Sequence, residues 1–317
     1  GHAAVARWLL QRTAQRAPEF LAVAGEHAER AGDAALALDC YERAAREAQR
    51  RFANRLAIDC LERALAQHAL LPQAEPAQRT RLLQGLREVA DLVGERGLQR
   101  RALDELAQWL ASHPDPVAQA RHAVSSALLA DRTGDYDAAH TWAMRAVALA
   151  AEAGAAADGD AALAHAELCW LHGLRGEHER AREHLRLGAG HAERVRHADP
   201  EQALKLHLMA GIVELRAGCM MRALHLLEEA RRHAEAGGIK RLLIGVLDYL
   251  AMVNLRIGRI EQAHAHALRS AELASELGAT PRVGHALVKQ SETALTLGRA
   301  AQAAELRIAL DRLLLAR

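Results

Sequence analysis

Eighteen histidines are the residues of this chain best suited to binding a metal or moving a proton. Five of them, His165, His172, His178, His184 and His191, recur every six or seven residues. Seven-residue spacing stacks two imidazoles two turns apart on one helix face, an arrangement with which a transition metal could engage. The three- or four-residue spacing of a good chelate is missing from this run, and no H-E-x-x-H helix occurs. The run therefore reads as scattered surface histidines, with no metal site and no cofactor. No phosphate loop of the G-x-x-x-x-G-K-[ST] type and no G-x-S-x-G nucleophile elbow is present either. With no convergent acid, base and nucleophile to name, the expectation is that this chain is not an enzyme. Trp109, Trp142 and Trp170 remain as candidate binding anchors, each equally suited to a core role.

The elements that position these residues follow from composition and repetition. Half of the 317 residues are apolar and 26% are charged, which suits a folded chain, whereas aromatics at 3% are too few for one large compact core. Ala, Leu, Arg and Glu dominate, the vocabulary of helix packed on helix through small contacts. The net charge is +1 with both signs interspersed, which argues against a nucleic-acid face. Only Lys205, Lys240 and Lys289 are lysines, a bias that fits a GC-rich coding genome. Cys40, Cys60, Cys169 and Cys219 lie in apolar helical patterns without a close partner, and are expected as buried free thiols in a reducing compartment. No apolar run approaches the roughly 20 residues of a membrane span. The chain opens on Gly1-His2, which suggests a piece of a longer protein.

Turn glycines set a repeat. Gly134, Gly176, Gly218, Gly258 and Gly298 are spaced by 42, 42, 40 and 40 residues, with Gly94 and Gly32 upstream. Five residues after each aligned glycine stands an alanine: Ala37, Ala139, Ala181, Ala223, Ala263 and Ala303. Twelve after stands a small residue, Ala44, Ala146, Gly188, Ala230 or Ser270, and seven before stands another, Ala127, Cys169, Gly211, Ala251 or Ser291. Glycine takes the left-handed conformation that separates two helices. The small residues then let the helices approach closely, so that an Ala→Leu change there is expected to overpack the contact by about 1–3 kcal/mol. A half-unit around Phe52 repeats the offsets with Ala57, Leu61 and Ala64. Pro18, Pro76, Pro114 with Pro116, Pro200 and Pro281 each stand ahead of a first helix, where a missing N–H is tolerated.

The spacing predicts about fifteen antiparallel helices, roughly 18–30, 34–50, 54–69, 77–93, 98–112, 117–132, 136–153, 160–175, 178–193, 201–217, 220–236, 239–257, 260–277, 281–297 and 300–315. The fold class is all-α, a right-handed superhelical solenoid of helix hairpins with a period of about 40 residues. Residues 1–16 are expected as a residual linker or capping helix, and 17–317 as the repeat domain. First helices should line the concave side, at positions thirteen, ten, six and three before each glycine. The predicted groove residues are Arg121, Val124, Leu128, Asp131, Trp170, Lys205, Ile212, Asp248, Met252, His285 and Glu292. Leu306, Leu310 and Leu313 to Leu315 on the last helix leave a homo-oligomer open.

The set of glycine, alanine and bulky positions resembles the tetratricopeptide repeat, with Gly134-Asp135-Tyr136 and Ala139 the closest match. The period of 40–42 exceeds the usual 34 of that repeat, and HEAT-type repeats are the structural alternative. A narrower resemblance covers about the first 70 residues. It rests on His2-Ala3-Ala4-Val5-Ala6-Arg7-Trp8-Leu9, Ala24-Gly25-Glu26-His27-Ala28-Glu29-Arg30-Ala31-Gly32-Asp33, Ala53-Asn54-Arg55-Leu56-Ala57-Ile58 and Leu61-Glu62-Arg63-Ala64-Leu65. These are similar to the stretch after the ATPase module in large bacterial signal-transduction ATPases, including transcription regulators and nucleotide-cyclase-linked forms. The resemblance implies a non-catalytic interaction and regulatory scaffold in the cytoplasm, the repeat arm of such an ATPase. Its partners would be proteins or peptides, other domains of the same polypeptide included, with no nucleic acid and no membrane. The alternative is a sensor that holds a peptide or small effector in the groove.

Overall fold

A computed structural model describes residues 1–12, 18–195 and 200–315. Sixteen α-helices and one short 3₁₀ turn account for nearly all of the described residues, and none of these is in a strand. They are α1 (His2–Arg12), α2 (Pro18–Arg30), α3 (Ala34–Arg50), α4 (Asn54–Ala69), α5 (Pro76–Val93), α6 (Arg96–Ser112), α7 (Pro116–Arg132) and α8 (Tyr136–Ala153). After the 3₁₀ turn Gly154–Ala157 come α9 (Asp158–Leu174), α10 (His178–Val195), α11 (Pro200–Arg216), α12 (Met220–Ala236), α13 (Lys240–Arg256), α14 (Ile260–Glu276), α15 (Thr280–Thr296) and α16 (Ala300–Leu315). The chain divides into two compact units, Gly1–Pro114 and Asp115–Arg317. None of the described helices is long and apolar enough to cross a membrane.

In the first unit each helix packs on the next from α1 to α6. The segment expected as a linker or capping helix begins with α1, which packs on α2, while its residues 13–16 lie outside those described. Tyr41 fills the centre of this unit with no exposed surface, and its hydroxyl donates to Glu29 at 2.6 Å and accepts from Arg63 at 2.9 Å. Gly25 makes room for the ring, because a Cβ there would stand 2.7 Å from Tyr41 Cε1. The turn at Phe52 takes the left-handed backbone, φ +56°, that glycine supplies at the aligned turns. The half-unit offsets are therefore obeyed without the residue that makes that turn easiest.

In the second unit α7, α9, α11, α13 and α15 pack side by side as first helices, and each is covered by the helix that follows it. The turn glycines Gly134, Gly176, Gly218, Gly258 and Gly298 have φ between +73° and +82°. Two hydrogen bonds show how the turn closes: the Asp135 N–H reaches back to the Ala130 carbonyl at 2.9 Å, and the Asp135 side chain then accepts from the Ala138 N–H at 3.0 Å. The alanines five residues past each aligned glycine are at most 4% exposed. Cys40, Cys60 and Cys169 are buried free thiols, and burial first of all raises each of their pKa values. Cys219 departs from expectation and is exposed, because it follows Gly218 in the turn ahead of α12 and not on a packed face. On the last helix Leu306 and Leu310 are half-buried, while the side chains of Leu313 to Leu315 lie outside those described.

Candidate binding face

The candidate site is the exposed side of the first-helix layer in the second unit. Its centre is Trp170 on α9, which is half-buried. The indole Nε1–H donates to Asp131 Oδ1 on α7 at 2.9 Å. On the ring face, the Arg216 guanidinium of α11 sits 4.4 Å from the centroid. Three consecutive first helices thus contribute one anchor: an acceptor for the N–H, the aromatic ring, and a cation over the ring. The Arg216 side chain runs over Gly173, one turn beyond Trp170, where a Cβ would lie in van der Waals contact with Arg216 Cδ at 3.4 Å. Burial raises the Asp131 pKa, and the Trp170 hydrogen bond opposes that shift.

Further along the layer, Asp248 on α13 accepts from the Ser270 hydroxyl at 2.5 Å and faces Arg282 of α15 at 3.8 Å. Burial again raises this carboxyl's pKa, against the pull of Ser270 and Arg282. Next to it Tyr249 is pushed up to about 12, first by burial and with Arg216 opposing. Asp131, Trp170, Arg216, Tyr249 and Asp248 therefore form a row of partly desolvated polar and aromatic groups across four first helices.

The remaining predicted groove residues divide between surface and core. Arg121 is exposed and forks onto the buried Asp160 at 3.3 Å through Nε and Nη2. Glu292 is exposed and holds Lys289 at 2.8 Å, and His285 is exposed beside them on α15. Lys205, Leu128 and Met252 are half-buried. Val124 and Ile212 are each 2% exposed, and Val124 packs with Ala123, Ala146 and Ala164, so both stabilise the layer and offer nothing at its surface. Arg216, Tyr249 and Arg282 escaped the sequence reading because they lie off the counted positions. Glycine three residues before Gly176, beside a tryptophan, was the one signal of a side chain lying across it.

The histidines correct the expectation of scattered surface groups. His165 and His172 are 5% and 6% exposed and stack with neighbours from α8 and α10. His178 stands apart, with its Nδ1 buried and lacking a hydrogen-bond partner. Among the described residues no three histidine, cysteine or carboxylate groups are placed to hold one metal ion.

No family model matches this sequence, and no curated protein does. Solved structures do. The Signal Transduction ATPase with Numerous Domains (STAND) protein with a tetratricopeptide repeat sensor from Pyrococcus horikoshii is 17% identical, with a TM-score of 0.57, over 97% of this chain and 45% of that one. Rap protein complexed with Competence and Sporulation Factor is 12% identical, TM-score 0.59, over 93% and 97%. NprR in complex with its cognate peptide NprX is 15% identical, TM-score 0.53, over 88% and 82%. The fold is that of the tetratricopeptide repeat. This chain spans less than half the length of the STAND protein, and at these identities the tetratricopeptide likeness is one of fold alone.

Proposed function

We propose that this tetratricopeptide-type chain is a non-catalytic scaffold in the cytoplasm that binds protein or peptide on the first-helix face of its second unit. The single observation behind this reading is the Asp131–Trp170–Arg216 anchor, half-exposed and braced from two helices. Tryptophan and arginine are the residue types that dominate binding hot spots, and a ring already fixed in place loses little entropy on binding. The similar Rap protein was solved in complex with Competence and Sporulation Factor and NprR with its cognate peptide NprX, which supports the same reading. The STAND sensor, together with the N-terminal resemblance, supports a place as the repeat arm of a larger signalling ATPase.

A small effector has less behind it. One recess of about 170 Å³, lined by Leu224, Glu228, Asn254, Arg259, Gln262 and His266, is smaller than an ordinary ligand pocket. Another, of about 440 Å³ in the first unit, is walled by Glu26, Glu29, Arg30 and Arg63 and is mostly polar, unlike the apolar lining of an ordinary ligand pocket.

The test uses peptides selected from a random library against the wild-type chain. Trp170→Ala is expected to weaken their binding at least tenfold, about 1.4 kcal/mol, with Trp170→Phe between the two. Calorimetry showing equal affinities for wild type and Trp170→Ala would remove the anchor from the account.

A further inference from the structure

Away from that anchor, five imidazoles form a continuous column through three helices. His191 of α10 stacks on His165 of α9 with ring centroids 5.7 Å apart. His165 meets His184 of α10 at 5.3 Å, His184 lies parallel to His172 of α9 at 5.2 Å, and His172 meets His140 of α8 edge-on at 5.5 Å.

The central pair decides what the column does. The Nδ1 atoms of His165 and His184 are 3.1 Å apart while the ring centroids are 5.3 Å apart, so the nitrogens lie near the line joining the rings and meet head on. That is the geometry of an N–H···N hydrogen bond, with one proton between two neutral rings. Two ligands of one metal ion would instead converge on a point beside that line. If both rings were protonated, two donors and two positive charges would face each other and the bond would be lost.

The surrounding charges compensate that pair only in part: Glu183 favours the protonated form of both rings, but less than burial and the neighbouring imidazoles oppose it. Carboxylates hydrogen-bond the flanking rings: Glu177 holds His172 at 2.6 Å, and Asp158 holds His191 at 2.7 Å. Asp158 also carries Arg194 at 2.7 Å, which first of all keeps its pKa at about 2. Around the middle, Glu183 of α10 is paired with Arg186. From α8, Asp137 is paired with Arg175. On α11, Glu214 is held by Arg182 and Arg216 stacks on Trp170, Lys205 is half-buried, and the contact beside His165 is apolar, Leu206 against Gly188. From α7, Arg121 is taken by Asp160 and Asp131 by Trp170; Arg132 lies at the end of the same helix.

We propose that this column makes the α9–α10 hairpin an acid-sensitive joint, closed while the imidazoles are neutral and loosened when neighbouring ones take up protons. The electrostatics agree. Burial, then His184 and His191, lower the pKa of His165 from 6.5 to about 4, and burial, then His172, lowers those of His184 and His140. A histidine whose folded pKa is depressed stabilises the fold above its unfolded value and loses that contribution as pH falls, here between 6.5 and about 4 for His165. Because α9 also carries Trp170, loosening it would release one wall of the binding face.

Hydrogen exchange between pH 6.5 and 4.5, corrected for intrinsic rates, tests this on the whole chain, with α3, which has no histidine, as internal reference. Amides of α9 and α10 are expected to lose at least tenfold in protection while α3 does not, and His165→Gln/His184→Gln should remove most of that difference. Equal loss in α3, or an unchanged profile in the double variant, would overturn the proposal. Histidine NMR titration of the wild type gives a readout independent of how the variant folds: a midpoint for His165 well below 6.5 supports the joint, and a midpoint at 6.5 overturns it.

Discussion

Glu167→Gln is expected to stabilise the second unit strongly at pH 9 and hardly at all at pH 5. Glu167 lies on α9 with 6% exposure, and its Oε1 is buried without a hydrogen-bond partner. Burial, then the neighbouring Asp131, push its pKa from 4.5 to about 8, with Arg132 opposing. The folded chain therefore keeps a proton that the unfolded chain releases. The penalty is absent below the unfolded value, grows as pH rises through the interval, and is complete above the folded value. Each pKa unit is worth about 1.4 kcal/mol, and local relaxation lowers the sum, so the variant should gain on the order of 2–4 kcal/mol at pH 9. Chemical denaturation at both pH values checks it. Equal gains at the two would mean that the carboxyl is already solvated.

Leu227→Ala should produce the largest loss, about 2–5 kcal/mol. Leu227 on α12 has no exposed surface and stands nine residues after Gly218, between the alanine at plus five and the small residue at plus twelve. It packs into the space above Gly211 of α11, where a Cβ would come within 2.6 Å of Leu227 Cγ. Gly211→Ala alone should overpack this contact by about 1–3 kcal/mol, partly offset by about 1 kcal/mol of helix propensity. The double variant should then lose less than the two changes summed, because the new methyl group occupies part of the vacated volume. Strict additivity in a denaturant cycle would show that the residues do not share that space.

Much of this was legible in the sequence because a left-handed turn demands one residue type and close helix approach demands small ones. The spacing of Gly134 to Gly298 placed the ends of α7 to α16 to within two residues. The Asp131–Trp170 contact was also within reach, since both lie at counted positions of adjacent repeats, 39 residues apart. Phe52 shows the limit of the glycine rule: its offsets were visible, but no residue type announced a left-handed turn. The histidine column was hidden for a different reason. Seven-residue spacing places His165 and His172 on one side of α9, but their partners arrive from α8 and α10. Registration between helices depends on packing that residue types alone do not specify. Arg216 was missed likewise, because its long side chain reaches back across α9 over a glycine.

The most direct test of the binding face is hydrogen exchange of the chain with and without a peptide selected from a random library. The account predicts new protection in α9 and α11 around Trp170 and Arg216, extending along α7 and α13, with α8, α10, α12 and α14 unchanged. Protection confined to those second helices, or to the first unit, would contradict it.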